Sequence, residues 1–388
     1  MEGVQTLNFT NLMNNFIAQL LDLAVAIQQI PAMTSHEAER AEFVRARFVE
    51  ENLQEVGIDP VGNVYARLGK PEANARCKPL VVSAHLDTVF PSKVDLTIQR
   101  EPERILGPGI GDNSLGVAGL FGLVWALRAR RLSLPGDLWL VANVCEEGLG
   151  NLRGIKAVVE RFEHPPNQSG EQSRPLAYIV IEGMALGQIY QRGLGVRRYR
   201  INIRTAGGHS WHDYGQPSAV HELTALSTRI TALQLPRSPR TTLNVGIISG
   251  GSSVNTIAAE AMLELDLRSE NAATLEALAR QVEEIVCSVQ KPGVAIQLEA
   301  IGKRPSGELP LDHRLVRLAQ DCLREVGVEP HLNIGSTDAN LPLSLGLPCV
   351  TIGLTTGGGA HTIHEFINVA PLEKGVEQLV RLVSQAWD

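Results

Sequence analysis

Five segments of this chain place acidic or imidazole side chains just after an apolar run. They are Val81-Val-Ser-Ala-His85-Leu-Asp87, Gly111-Asp112-Asn113, Val144-Cys-Glu146-Glu147-Gly148, Ile181-Glu182-Gly183 and Gly359-Ala-His361-Thr-Ile-His364-Glu365. Residues so far apart in sequence converge only if the strands that precede them share one sheet. That requirement selects an α/β fold with a mostly parallel sheet, because open α/β sheets bind ligands beyond the carboxyl ends of their strands.

The runs themselves support this reading. Pro79–Ala84, Leu138–Val144, Ala177–Ile181 and Cys349–Gly353 are continuous apolar stretches, the pattern of parallel strands buried on both faces. Helices are predicted over Asn11–Ile30, over Ser35–Val56 with Gly57 as its stop, and over Asn113–Arg130 with Asp112 as its cap. A short alternating strand is predicted over Asn63–Leu68, and a surface excursion over His164–Pro175.

The middle of the chain changes character. Arg197–Thr205 alternates as a half-exposed strand, and Pro217–Leu233 has helical spacing. Strands follow at Thr242–Ile248 and Glu260–Arg268, then a helix at Asn271–Val289 and a strand at Val294–Ala300. The order βαββαβ is the ferredoxin-like pattern. It predicts an inserted α+β domain over residues 193–303, flanked by a discontinuous main domain, 1–192 and 304–388. At 388 residues, two domains are the default expectation.

Composition narrows the function classes. A formal net charge of −7 with no long basic run argues against nucleic acid as the main partner. The amino terminus lacks the positive start of a signal peptide, and Gln and Asp interrupt the apolar stretch Phe16–Ile30, so the expectation is a cytosolic protein with no membrane span. Five widely spaced cysteines without a Cys-x-x-Cys pair fit reduced thiols. Cys145 is read as a buried structural thiol over a nucleophile, since no histidine neighbours it in sequence. Gly107-Pro-Gly109-Ile-Gly111 does not follow a strand in the way a dinucleotide-binding fingerprint requires.

A set of carboxylates and neutral imidazoles suits zinc, cobalt or manganese, and a pair of such ions can activate water and polarise a carbonyl. His361 and His364 lie three apart in one loop, and both are candidates to reach a metal.

These segments resemble the M20 family of metallopeptidases and amidohydrolases, which includes tripeptidases, carboxypeptidase-like enzymes, aminoacylases and deacylases. The resemblance covers nearly the whole chain, inserted domain included. It implies a zinc-exopeptidase-like catalytic domain with a lid and dimerisation insert, and two divalent ions, Zn2+ foremost with Co2+ or Mn2+ as alternatives. By resemblance, His85 and Glu182 ligate one metal, Glu147 and His361 the other, and Asp112 bridges them. Asp87 resembles the carboxylate that orients His85, and Glu146 the general base acting on metal-bound water. The family pattern His-x-x-x-Glu matches His361 with Glu365.

In the insert, Gly207-Gly208-His209-Ser210 resembles the lid motif, whose histidine stabilises the oxyanion in the partner subunit of a homodimer. Asn255 and Arg268 resemble the residues that hold substrate oxygens. Lid closure would place hinges near Gly193–Gly195 and Gly302. Two departures bear on the branch of the family. Asp112-Asn113-Ser114 stands where several relatives have Asp-Asp or Asp-x-Lys, and Gly335-Ser-Thr-Asp338-Ala-Asn340 resembles tripeptidase-like members, whereas Glu at 182 is commoner in carboxypeptidase and deacylase branches.

The expected activity is amide hydrolysis, as an exopeptidase, aminopeptidase-like, on small peptides. The alternative is an N-acyl amino acid deacylase of the acetylornithine deacetylase or succinyl-diaminopimelate desuccinylase type. A non-catalytic binding protein on the same scaffold is the remote alternative, since no ligand or base is missing.

Overall fold

The computed structural model describes residues 2–69, 77–163 and 174–388, with side chains from Asn15 onward. Most of the expected 164–175 excursion lies outside the described residues. The chain forms two compact units, residues 1–192 with 308–388, and residues 193–307.

The first unit is built on a nine-stranded sheet. Its centre is four parallel strands in the spatial order Leu138–Asn143, Leu80–His85, Ala177–Glu182 and Cys349–Gly353. Almost every residue of these strands is buried, as their unbroken apolar runs require. The register aligns their carboxyl ends, with His85 opposite Asn143 and Glu182 opposite Gly353. Antiparallel strands Val64–Leu68 and Gln54–Ile58 extend one edge, and Gln188–Gly193 the other.

Helices cover both faces. A Cβ at Gly119 of helix Leu115–Ala129 would run into Leu354, and Phe121 of the same helix stacks on Phe48 of helix Ala38–Glu50 with ring centroids 4.6 Å apart. On the opposite face, Trp139 meets Phe162 of helix Arg153–Glu163 edge-on at 5.5 Å. The segment Ile110–Ala129 is long and apolar enough to cross a membrane by length and composition, but 89% of it is buried inside the fold. It is a core helix, wedged between the sheet and the first helix, Glu2–Gln28.

Two local expectations are corrected. The helix predicted over Ser35–Val56 spans only Ala38–Glu50, and Gln54–Ile58 is a strand with Gly57 inside it. Asn52 and Glu55 adopt positive φ, which breaks the helical path, and the chain then pairs with Val64–Leu68. Asp112 is not the cap of the helix that follows it. That helix begins at Leu115 after a distorted turn over Ile110–Ser114, and the Asp112 side chain is turned to the histidines described below.

The second unit is a four-stranded antiparallel sheet in the order Thr241–Gly250, Glu260–Ser269, Gly195–Thr205, Val294–Arg304, with helices Ala219–Thr231 and Ala272–Ser288. Strict alternation along Glu260–Ser269 buries Leu263, Leu265 and Leu267 against Leu226 and Leu278. The intervening Glu264 and Asp266 face outward and pair with Arg200 and Arg198. The last strand continues past Ala300 to Arg304, so this unit ends four residues later than the 303 boundary read from the pattern.

Candidate metal centre

His85 closes its strand with the ring fully buried. Its Nδ1 lies 3.0 Å from the Asp87 main-chain oxygen, so Nδ1–H donates there and Nε2 is turned to the carboxylates. Nε2 faces Asp112 Oδ1 at 3.1 Å and Glu182 Oε2 at 3.6 Å. On the far side of Asp112 the arrangement repeats. His361 Nε2 is 3.1 Å from Asp112 Oδ2 and 3.1 Å from Glu147 Oε1.

An imidazole nitrogen and carboxylate oxygens this close need a positive charge between them, a proton or a metal ion. The donor atoms of His85, Asp112 and Glu182 all fall within 4.8 Å of one another, as do those of Asp112, Glu147 and His361. Each set has two carboxylates and one imidazole, the donor chemistry of zinc, cobalt and manganese sites, and Asp112 belongs to both. A third grouping, His85 with Glu146 and Glu147, overlaps them. His364, the rival of His361 in the sequence, is in none of these sets among the described residues.

The titration behaviour has the same cause. Burial lowers the pKa of His85, but Glu182, Asp112 and Asp87 overcome it and hold the ring well above the ordinary imidazole value. Hydrogen bonds to Asp112 and Glu147 push His361 up to about 10. Burial raises Glu182. For Asp112 burial acts upward too, yet the two histidines hold it far below the usual carboxylate range. The cluster stabilises positive charge at two points, and a dication meets that demand with both imidazoles neutral.

The strand-end turns are held by buried polar groups. The Asp87 carboxylate accepts the main-chain N–H groups of Glu146 at 2.9 Å and Glu147 at 2.8 Å, and the Thr34 hydroxyl at 2.9 Å. Burial alone would raise the Asp87 pKa, but His85 and these two N–H groups keep it low. Cys145 takes φ of 60°, which turns the chain sharply at the strand end just before Glu146 and Glu147. The Cys145 thiol is buried, with its N–H bonded to Glu37 at 3.1 Å. Arg40, also buried, donates to the Leu86 carbonyl at 2.8 Å and fixes the backbone between His85 and Asp87.

Several contributors were not assigned from sequence. Thr34 and Arg40 carry no motif, because the groups they bond, the Asp87 carboxylate and the Leu86 carbonyl, lie far away in the chain. Asn113, noted only as a departure, donates from Nδ2 to the Ile181 carbonyl at 2.7 Å and accepts the Gly183 N–H at 3.0 Å, straddling Glu182. Gly116 and Gly183 make room, since a Cβ would collide with the Asn113 side chain at the first and with the Gly111 carbonyl at the second. Asp338 is buried, accepts from Asn143 Nδ2 at 2.7 Å and is pushed by burial up to about 7. Its place in Gly335-Ser-Thr-Asp338 was the available signal.

The second unit holds the remaining predicted residues. His209 is exposed, and its Nδ1 accepts the Trp211 N–H at 3.2 Å. Its neighbour Ser210 donates from N to the Asn255 carbonyl at 3.0 Å, so His209 and Asn255 share one end of the unit. Arg268 lies toward the opposite end of strand Glu260–Ser269, with its guanidinium on Asp266 at 2.7 Å.

The sequence profile of peptidase family M20/M25/M40 matches residues 81–385, which spans both donor sets. The chain belongs to that family. As an M20 family member it is a hydrolase, and the family is metal-dependent. A peptidase M20 domain-containing protein of Schizosaccharomyces pombe is 27% identical over 278 residues, covering 68% of this chain, and the match spans 64% of that protein. Acetylornithine deacetylase of Yersinia pseudotuberculosis is 25% identical over 344 residues, 83% of this chain and 82% of the enzyme. Among solved structures, a tripeptidase of Staphylococcus aureus superposes with a TM-score of 0.77 at 19% identity, covering 95% of this chain and 98% of that one. Aminopeptidase PepT of Bacillus cereus gives 0.75 at 20%, over 96% and 99%. At these identities the two structures show a shared fold.

Proposed function

We propose that this M20 member is a dinuclear metal-dependent amide hydrolase that acts as an exopeptidase on small peptides. The observation that carries the reading is Asp112, whose two oxygens face two histidines at 3.1 Å each, so that one carboxylate is common to two donor sets. His85, Asp112 and Glu182 would hold one ion and Asp112, Glu147 and His361 the other, with Zn2+ foremost and Co2+ or Mn2+ as substitutes. When bound, such ions polarise the scissile carbonyl and make water acidic.

The chain's own groups then divide the work. Glu146 takes the proton of the attacking water as the new C–O bond forms, and delivers it to the nitrogen as the C–N bond breaks. Asp87 keeps Glu146 and the His85 ring in register. His209 donates to the oxyanion, and Asn255 and Arg268 bind substrate oxygens. Arg268 follows Asn255 by 13 positions along a largely extended path, a span of up to about 40 Å at about 3.3 Å per residue, much longer than a small peptide. One chain therefore does not bring both ends of this unit to one scissile bond, which supports a homodimer in which His209 acts in trans. The cysteines described are all free thiols, in keeping with a cytosolic location.

A second reading, an N-acyl amino acid deacylase, is favoured by the acetylornithine deacetylase match over 83% of the chain. Hydrolysis of tripeptides set against N-acetyl and N-succinyl amino acids, before and after chelation, decides between the two. Chelator-insensitive cleavage, or protein that takes up no metal on reconstitution, sinks both.

A further inference from the structure

Glu365 is fully buried and stands four residues beyond His361, yet it belongs to none of the donor sets among the described residues. Its carboxylate instead accepts three main-chain N–H groups of the turn that carries Asp112. Oε2 takes Gly109 N–H at 3.0 Å, and Oε1 takes Gly111 and Asp112 N–H at 2.7 and 2.8 Å. The Glu365 carbonyl accepts Gly107 N–H at 2.8 Å in the same turn. Segments more than 250 positions apart are joined at one side chain.

On its other flank the turn is gripped by Asn113, bonded to the main chain on both sides of Glu182. Asp112 is thus suspended between the His361 loop and the Glu182 strand end. We infer that Glu365 is a positioning residue that sets Asp112 where its two oxygens serve both donor sets, coupling the two halves of the centre. This rests on the dinuclear reading above.

The residue type follows from the donors. Three converging N–H groups need a partner that only accepts, and a carboxylate offers two oxygens with lone pairs to spare. Glutamine has the same shape but turns an NH2 toward one of those donors, leaving a buried N–H unmatched. Its volume is unchanged, so a residue needed only for packing would tolerate it.

The test compares wild-type protein with Glu365→Gln, both stripped of metal and then titrated with Co2+ while the visible absorption of the bound ion is followed. Amide hydrogen exchange is measured on the metal-free forms. Wild type is expected to take two equivalents. The variant should bind at least one of them about tenfold or more weakly with an altered spectrum, and should lose protection over residues 109–112. Two equivalents bound with wild-type affinity and spectrum overturn the inference. Should the amide variant fail to fold, Glu365→Asp keeps the charge but retracts it by one methylene, and wild-type Co2+ binding there overturns the inference equally. Wild-type protein that takes up no Co2+ sinks the dinuclear reading itself. Exchange then still judges the contact, because unchanged protection over residues 109–112 in the variant would refute the clamp.

Discussion

The carboxylate of Asp87 accepts the Glu146 main-chain N–H at 2.9 Å, tying the end of the His85 strand to the turn of its neighbour. This bond places Glu146 by its backbone, while the proposed role as base falls to its side chain. Glu146→Gln keeps the shape and the backbone bond but removes the proton acceptor, so kcat should fall by about 10²–10⁴-fold with metal content unchanged. Steady-state kinetics alongside elemental analysis checks this, and near-normal turnover would show that another group is the base.

The two histidines of the 361–365 loop are predicted to differ sharply. His361 Nε2 faces two carboxylates, whereas His364 joins no donor set among the described residues. His361→Ala should reduce metal content from two equivalents to one, and His364→Ala should leave it at two. Asp112→Ala, which removes the shared carboxylate, should lower affinity at both positions. Equilibrium dialysis with Zn2+ measures all three. A full loss in His364→Ala with none in His361→Ala would reverse the assignment.

What sequence made legible follows from how each residue acts. His85, Glu147 and Glu182 sit just past apolar runs, and a parallel sheet brings such ends together whatever the intervening chain does. The roles of Thr34, Arg40 and Glu365 did not show, because each acts through hydrogen bonds to the backbone or carboxylate of remote segments, and nothing in the local pattern names the partner. Strand Gln54–Ile58 was hidden by a helical pattern that continued past Glu50, where the positive φ of Asn52 and Glu55 ends the helix. Asp112 resembled a helix cap because it precedes a helix; the competing demand of two imidazoles decided its orientation.

Asp338 gives the metal-free protein a pH dependence. Burial raises its carboxyl to about 7, opposed by the nearby His85 and the Asn143 bond and reinforced by Glu182 and Asp87; the Cys349 thiol, itself raised by burial, lies near it. A carboxyl whose folded pKa exceeds its unfolded value costs no stability below the unfolded value, near pH 4. The cost grows as pH rises from there and levels off above about 7. Asp338→Asn retains an acceptor for Asn143 and lacks this penalty. Relative to wild type, the metal-free variant should therefore gain stability between pH 4.5 and 7.5, on the order of 1–3 kcal/mol. Urea denaturation at the two pH values measures the difference, and a pH-independent offset would show that Asp338 is ionised in the folded chain throughout this range.

The exposed His209 is the residue whose role depends most on assembly. If it serves the metal centre of a partner subunit, then His209→Ala and Glu146→Gln damage different halves of each composite site. Mixed and allowed to exchange subunits, two inactive variants should produce heterodimers in which one of the two sites has both residues intact. Equal mixing makes half of the dimers mixed, so recovered activity should approach about a quarter of wild type. The mixture is assayed over time after combining the two proteins, with each variant alone as the baseline. Recovery near that level would place the two residues on different chains. A dimeric mixture that exchanges subunits yet stays at baseline would mean that His209 and Glu146 must come from the same chain, and the trans arrangement would be wrong.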